Sequence, residues 1–140
     1  MNKIDLVLVE DNIHDARIFQ RIVKKEQLTD SMIWLKDGED AVNELVRDRK
    51  WIPKLIILDI KLPKVSGLEI LEQLRTQETT KTLPVIILSS SNQQIDIQKA
   101  YDLGVNGFVT KPDNYAELKE LLKFIAQFWL RFNKTALNDG

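Results

Sequence analysis

Residues 55–59 read Leu-Ile-Ile-Leu-Asp, an uninterrupted apolar run that ends in a carboxylate. A short run without polar alternation is typical of a strand that is covered on both faces, as in a parallel sheet. Short apolar runs occur at four other places along the chain. We therefore predict five strands, at Ile4–Val9, Met32–Leu35, Leu55–Leu58, Val85–Leu88 and Phe108–Val109.

Amphipathic segments separate these runs, and their apolar residues recur at the spacing of one helical face. The predicted faces are Ala16, Phe19, Ile22 and Val23; Ala41, Leu45 and Val46; Ile70, Leu71 and Leu74; and Leu118, Leu121, Leu122, Ile125 and Trp129. Turn-forming residues such as Pro53, Pro63 and Gly67 lie between the elements. The alternation of strand and helix predicts an α/β fold, an open, doubly wound parallel sheet with helices on both faces.

The composition excludes several classes of function. The 140 residues, 44% apolar and 29% charged, are typical of one globular domain. A net charge of −1 gives no bulk electrostatic attraction to nucleic acid. The absence of cysteine and the single histidine, His14, exclude a disulfide scaffold, a cysteine nucleophile and a multi-histidine metal site. We expect a soluble, cytoplasmic protein without membrane contact, because the sequence has neither a signal peptide nor an apolar run of about 20 residues.

Charged or hydroxyl side chains follow four of the five predicted strands. Glu10 and Asp11 follow the first, Asp59 the third and Ser89 the fourth, and Lys111 lies after the fifth. In a doubly wound sheet, ligands bind at the carboxyl ends of the strands. Clustered carboxylates attract a hard cation such as Mg²⁺, and a carboxylate can also act as a nucleophile toward phosphorus. The set is therefore a candidate site for phosphoryl transfer to Asp59, with the cation, the ammonium and the hydroxyl stabilising the transferred charge.

Five short motifs occur in order along nearly the whole chain. They are Val9-Glu10-Asp11-Asn12; Leu58-Asp59 followed by Pro63 and Gly67; Pro84 through Ser89-Ser90; Gly104; and Thr110-Lys111-Pro112. Together they resemble the receiver domains of two-component response regulators. That resemblance implies a flavodoxin-like fold with strand order 2-1-3-4-5.

A second group of residues narrows the resemblance. It comprises the Val9-Glu10-Asp11-Asn12 stretch again, with Asp96-Ile97, Ala100-Tyr101, Val105-Asn106 and Phe128-Trp129-Leu130. These look like the single-domain regulators paired with bacterial and cyanobacterial phytochrome-type kinases. The implied partner is a sensor histidine kinase of that type.

The resemblance also implies roles for the acidic residues. Asp59 would accept the phosphoryl group from a phosphohistidine of the kinase. Asp11 and Asp59 would bind Mg²⁺ directly, together with the backbone carbonyl of Lys61. Glu10 would hold a metal-bound water.

Three further roles concern phosphate binding and signalling. Lys111 would pair with the phosphate, helped by a cis peptide bond before Pro112. Ser89 would move to hydrogen-bond the phosphate, and Phe108 would turn inward into the vacated space. Many relatives carry Thr and Tyr at these last two positions; because Phe108 has no hydroxyl, no partner can read one there.

The last predicted helix is apolar over a wider arc than a surface helix needs. Phe124, Phe128 and Phe132 widen the arc, and Leu130 lies on the otherwise polar side. We expect a protein interface here, either a homodimer contact or a kinase contact. The alternative is that Phe132 and Leu137 cover an edge of the core.

We expect residues 1–130 to form the receiver domain and residues 131–140 a short tail, with no output domain. The protein would then be no enzyme beyond its own phosphotransfer and autodephosphorylation, and would signal through altered protein contacts. One alternative is a degenerate receiver that binds partners without phosphorylation. Another is an aspartate-nucleophile phosphatase, but that family needs a second Asp where Lys61 stands. A flavin carrier of the same fold is disfavoured because Glu10 and Asp11 would repel its phosphate.

Overall fold

The computed structural model describes residues 2–136, so that Leu137 and the end of the predicted tail 131–140 lie outside the described residues. Five parallel strands form one sheet: β1 (Asn2–Val9), β2 (Met32–Leu35), β3 (Trp51–Leu58), β4 (Val85–Ser89) and β5 (Gly107–Thr110). Their order is β2-β1-β3-β4-β5, which confirms the order that the resemblance implied. The order reverses between β1 and β3, and such a switch point opens a crevice at the carboxyl ends of the strands.

Helices connect the strands. They are α1 (Ile13–Lys25); α2 (Gly38–Ala41), which continues as a π-helical segment over Val42–Arg47; α3 (Gly67–Thr76); α4 (Gln94–Asp102); and α5 (Tyr115–Ala126), which continues as a π-helical segment over Gln127–Phe132. Side chains of Asn12, Asp37, Ser66 and Asn114 cap the starts of α1, α2, α3 and α5. Each accepts a hydrogen bond from a backbone N–H that the helix itself leaves free.

The core lies in two layers, one on each face of the sheet. Successive strand residues point to opposite faces, so Leu55 and Ile57 of β3 pack with α1 and α5, whereas Ile56 and Leu58 pack with α2, α3 and α4. All four strand residues are essentially inaccessible to solvent. This two-sided burial explains why the strand sequences show no polar alternation.

The sequence prediction was wrong about Pro53, which lies inside β3 rather than in a turn. The strand begins at Trp51, and Pro53 is aligned with Ile4 of β1. Pairing of β3 with β4 begins only at Ile56, so β3 has a single strand neighbour at its start. A proline is tolerated there because no second ladder requires its missing N–H.

The last helical segment of the described chain ends at Phe132, and residues 133–136 are not helical. The segment Gln127–Phe132 runs across the boundary that was predicted at residue 130. No helix within residues 2–136 is long and apolar enough to cross a membrane.

Candidate functional site

The ends of β1 and β3 lie side by side and bring the acidic residues together. The backbone N–H of Asp59 donates to the carbonyl of Val9 at 3.3 Å, which ties the two strand ends to each other. Glu10 and Asp59 are buried, whereas Asp11 is exposed. One carboxylate oxygen from each of the three residues lies within 4.8 Å of the other two. Three hard oxygen donors at this separation suit Mg²⁺, which takes carboxylate and water ligands.

Lys111 places its ammonium among three carboxylates. Its Nζ lies 2.6 Å from Glu10 Oε1, 3.3 Å from Asp15 Oδ2 and 3.4 Å from Asp59 Oδ2. Its backbone N–H donates to the carbonyl of Ser89 at 2.8 Å, which fixes the start of the loop against β4. Burial alone would lower the pKa of Lys111, but the hydrogen bond and charge of Glu10, with the charges of Asp59 and Asp15, raise it above its ordinary value. The ammonium is therefore charged throughout the physiological range.

Burial in this site disfavours the charged form of Glu10. Burial raises its pKa above the ordinary value, although the hydrogen bond and charge of Lys111 and the backbone N–H of Asn12 oppose the shift. That N–H donates to Glu10 Oε2 at 3.2 Å. One lysine thus compensates the buried acidic cluster only in part, and a bound cation would compensate it further.

Ser89 holds the other oxygen of the Asp59 carboxylate. Its hydroxyl donates to Asp59 Oδ1 at 2.8 Å and accepts from the backbone N–H of Ser91 at 3.2 Å. The backbone N–H of Lys61 donates to the same Asp59 oxygen at 3.3 Å. The two oxygens of Asp59 are thereby distinguished, because Oδ1 faces Ser89 and Lys61 while Oδ2 faces Lys111.

The β4–α4 loop connects Ser89 to a helix. The Ser91 hydroxyl donates to Asp96 Oδ2 at 2.8 Å, and Asp96 lies in the first turn of α4. Phe108 of β5 is aligned with Ile87 and packs, half-buried, against the core layer that contains Ala100 of α4. Ser89 is therefore linked to the start of α4 through Ser91, and Phe108, on the neighbouring strand, packs against the same core layer as α4.

The sequence prediction of a cis peptide bond before Pro112 was wrong. No peptide bond within residues 2–136 is cis, so Lys111 and Pro112 are joined in trans. The trans form is the more stable one even before proline, by about 0.5–1 kcal/mol.

Two residues of the site were missed from the sequence. Asp15, in the first turn of α1, was not predicted to contact Lys111. Trp34 was not predicted to contact the site, but its indole Nε1–H donates to the backbone carbonyl of Glu10 at 2.7 Å. The strand order contained a signal for Trp34, because β2 lies beside β1 and aligns Trp34 with Leu8. Nothing in the pattern around Asp15 distinguished it from an ordinary first-turn acid.

A cavity of about 280 Å³ adjoins the site between α1 and the start of α5. Its polar lining includes Asp15, Asp59, Lys111, Asp113 and Tyr115. The acidic site therefore opens toward the α1–α5 side of the molecule as well as toward the strand ends.

The last helix presents a stripe of three exposed rings. Phe124, Phe128 and Phe132 are 70%, 51% and 59% exposed, and we call these three residues the phenylalanine stripe. Leu130 does not belong to it, contrary to the sequence prediction. Leu130 is half-buried against the α1–α5 layer of the core, and its carbonyl accepts from Lys54 Nζ at 3.4 Å.

The chain is similar to a known protein family and to individual known proteins. Residues 6–123 match the family model described as the response regulator receiver domain. The chain is 32% identical over 133 residues to the probable methanogenesis regulatory protein FilR2 of Methanothrix harundinacea, covering 93% of this chain and 86% of the relative. It is 33% identical over 129 residues to the response regulator Rcp1 of Synechocystis sp., covering 89% of this chain and 88% of the relative.

The fold is also similar to those of solved response regulator structures. The phosphorylated cyanobacterial phytochrome response regulator RcpA superimposes with a TM-score of 0.87 at 33% identity, covering 96% of this chain and 99% of the other. The Mn²⁺-bound form of Rcp1 superimposes with a TM-score of 0.83 at 30% identity, with the same coverage. The strand order, the acidic cluster and these matches agree, and the chain belongs to the response regulator receiver domain family, with similarity to the phytochrome response regulators RcpA and Rcp1.

Proposed function

We propose that Asp59 is the phosphoryl acceptor of a two-component phosphorelay. The observation that carries this proposal is the placement of the Asp59 carboxylate, with Ser89 on one oxygen and the Lys111 ammonium near the other. In the proposed step, an Asp59 carboxylate oxygen attacks phosphorus and forms an acyl phosphate. The bond from phosphorus to the histidine nitrogen of the kinase breaks, and the electron pair stays on that nitrogen.

Mg²⁺ is the proposed cofactor of this step. Asp11 and Asp59 would hold it directly, with the backbone carbonyl of Lys61, and Glu10 would hold it through water. The support is the cluster of three carboxylate oxygens within 4.8 Å and the partly compensated burial of Glu10. The relative Rcp1 has been solved with Mn²⁺ bound. The cation would neutralise charge on the phosphoryl oxygens, while Lys111 and Ser89 donate to them.

The proposed phosphodonor is a sensor histidine kinase of the phytochrome type. The similarity to RcpA and Rcp1 supports this kinase class, since RcpA is described as a phytochrome response regulator. Hydrolysis of the acyl phosphate would return Asp59 to its free carboxylate, so the protein acts on no substrate other than its own phosphoryl group. Because such a kinase renews its phosphohistidine from ATP, we place the reaction in the cytoplasm.

Acetyl phosphate tests the proposal without the kinase. Intact-protein mass spectrometry should detect one added phosphoryl group after incubation with acetyl phosphate and Mg²⁺. The group should be absent from Asp59→Asn and from wild-type protein in EDTA. Asp30→Asn is the matched control, because Asp30 is an exposed aspartate outside the site. It should be labelled like the wild type.

Two results would contradict the proposal. Labelling of Asp59→Asn at the wild-type level would move the acceptor to another residue. No labelling of the wild type by acetyl phosphate or by a reconstituted phytochrome-type kinase would favour the alternative of a binding module that works without phosphorylation.

We also propose that the phenylalanine stripe is covered by a second copy of this chain. Its three residues recur every fourth position along one continuous helix end, so two antiparallel copies would bury the same side chains on both partners. Sedimentation should show a dimer that Phe124→Glu dissociates, whereas the control Tyr101→Glu, at an exposed ring on α4, should leave it intact. A wild-type monomer at high concentration, phosphorylated and unphosphorylated, would instead favour a kinase contact.

A further inference from the structure

Asp15 is the acidic residue beside the site to which the proposed function gives no role. It lies outside the acidic cluster formed by Glu10, Asp11 and Asp59. Its carboxylate is 42% exposed and lines the cavity between α1 and α5. Its side chain pairs with the Lys111 ammonium, at 3.3 Å. Asp15 therefore acts on the site through Lys111.

Three carboxylates compete for the N–H donors of the Lys111 ammonium. An ammonium has three N–H donors, and three carboxylates surround this one. Asp15 Oδ2 and Asp59 Oδ2 lie 3.3 and 3.4 Å from Nζ, almost the same distance. A phosphoryl group on Asp59 needs at least one of these donors, so part of the existing arrangement has to be given up.

The carboxylates differ in what a cation would do to them. A cation bound at the acidic cluster would share the charge of Glu10 and Asp59 and weaken their hold on Lys111. The carboxylate of Asp15 lies outside that cluster and keeps its full charge for the ammonium. In the metal-loaded site, Asp15 is then the strongest remaining competitor for Lys111.

We propose that Asp15 is a positioning residue that draws Lys111 away from a phosphoryl group on Asp59 and thereby weakens the binding of that group in the site. The proposal rests on phosphorylation of Asp59, as set out above. Asp15 also places a negative charge beside the incoming phosphoryl dianion, and this repulsion acts in the same direction. Removing the charge of Asp15 should therefore strengthen binding of a phosphoryl group.

Beryllofluoride, a mimic of a phosphoryl group on aspartate, measures this effect at equilibrium. Calorimetric titration in saturating Mg²⁺ should give Asp15→Asn a Kd for beryllofluoride about two- to fivefold lower than that of the wild type, the value of a partly exposed ion pair. Titration with Mg²⁺ alone should give Asp15→Asn the same affinity for Mg²⁺ as the wild type or a lower one, since the variant loses a negative charge near the acidic cluster. If the substitution merely loosened the structure of the site, the affinities for beryllofluoride and for Mg²⁺ would both fall.

Two further variants separate charge from position. Asp113→Asn removes an aspartate that lines the same cavity but makes none of the Lys111 contacts, so its beryllofluoride affinity should equal that of the wild type. Asp15→Glu keeps the charge in the first turn of α1 and should restore an affinity within about twofold of the wild type.

Each alternative outcome is decisive. An unchanged or weaker beryllofluoride affinity in Asp15→Asn overturns the inference while leaving phosphorylation of Asp59 intact. An equal gain in Asp113→Asn overturns it as well, because general charge then explains the effect. A wild-type protein that binds Mg²⁺ but no beryllofluoride overturns the proposed function, and the role of Asp15 with it.

Discussion

Replacing Gly67 with alanine should displace Asp59, the proposed phosphoacceptor, through its backbone. Gly67 is the first residue of α3, and a Cβ there would lie 2.1 Å from the carbonyl oxygen of Asp59 and 2.8 Å from Leu58 Cδ1. Cβ atoms essentially never approach another heavy atom closer than 3.0 Å, so the helix start or the Asp59 backbone must move by about 0.9 Å. The obstructing atom belongs to the backbone at the end of a central strand, which cannot rotate away as a side chain could.

The size of the effect follows from two opposing contributions. Overpacking of a well-packed site costs typically about 1–3 kcal/mol, and a rigid backbone partner places this site at the upper end. Alanine is favoured over glycine in a helix by up to about 1 kcal/mol. We therefore expect Gly67→Ala to lower the free energy of unfolding by about 2 kcal/mol. A displacement near 1 Å at a reacting group can cost about 10²-fold in rate, and we expect a loss of that order in phosphorylation by acetyl phosphate.

Urea unfolding and a mass-spectrometric time course measure the two effects on the same samples. Gly107→Ala is the control, because a Cβ at this position in β5 would meet Ile86 Cγ1 at 3.7 Å, an ordinary contact. It should match the wild type in rate and lie within about 0.5 kcal/mol of it in stability. If Gly67→Ala also lies within about 0.5 kcal/mol of the wild type and is labelled at the wild-type rate, the steric reasoning is refuted.

Three other substitutions test separate parts of the site and the fold. Trp34→Phe removes the hydrogen bond to the carbonyl of Glu10 and should cost about 1 kcal/mol in urea unfolding. Its Mg²⁺ affinity in calorimetry should also fall, and an unchanged affinity would show that Trp34 does not position Glu10. Glu10→Gln should raise the metal-free Tm at pH 7 and weaken Mg²⁺ binding. Burial raises the pKa of Glu10 above 4.5, so the folded state favours the neutral carboxyl group. The stability that this preference contributes is present at low pH and is lost as the pH rises through the raised pKa. An equal Tm for both proteins from pH 4 to pH 8 would contradict this. Arg75→Met removes a guanidinium that donates to two backbone carbonyls and to Asn106 Oδ1. It should cost about 2–3 kcal/mol in urea while the extent of phosphorylation stays the same; a loss of labelling at full stability would contradict a purely structural role.

Much of the fold could be predicted because its three central strands, β1, β3 and β4, are largely buried on both faces. The run Leu55–Leu58 had no polar position, and the structure buries all four of its side chains. Pro53 was misassigned for a reason outside its local sequence. Whether a proline fits in a strand depends on how many neighbours pair with it at that point, and only the alignment of β3 with β4 shows that there is one.

The candidate site was predictable where it consists of strand ends. Glu10, Asp59 and Ser89 each follow an apolar run directly, and parallel strands bring such ends to one edge. The contact of Asp15 with Lys111 joins residues 96 positions apart and depends on the packing of α1 beside the start of α5. No local pattern encodes that distance, so the pair became visible only in three dimensions.

Leu130 was placed on the wrong side of its helix for a geometric reason. A projection at about 100° per residue assumes an α-helix throughout. The chain changes to a π-helical segment at Gln127, and this wider helix has more residues in each turn. The projection therefore drifts after Ala126, and Leu130 turns toward the core layer.

A chain of hydrogen bonds leads from Asp59 through Ser89 and Ser91 to Asp96 at the start of α4, and the proposed phosphorylation of Asp59 would act on α4 along it. The Ser89 hydroxyl has one hydrogen, which it now donates to Asp59 Oδ1, while its oxygen accepts from the N–H of Ser91. If Ser89 moves to donate to a phosphoryl oxygen, the acceptor of the Ser91 N–H moves with it. Ser91 is in turn held to the first turn of α4 by its bond to Asp96. A buried N–H that loses its partner costs about 1–3 kcal/mol, which equals the size of a typical coupling between two sites. The loop and the start of α4 are therefore expected to rearrange together with Ser89, and Ser91→Ala should weaken that coupling while leaving phosphorylation of Asp59 in place.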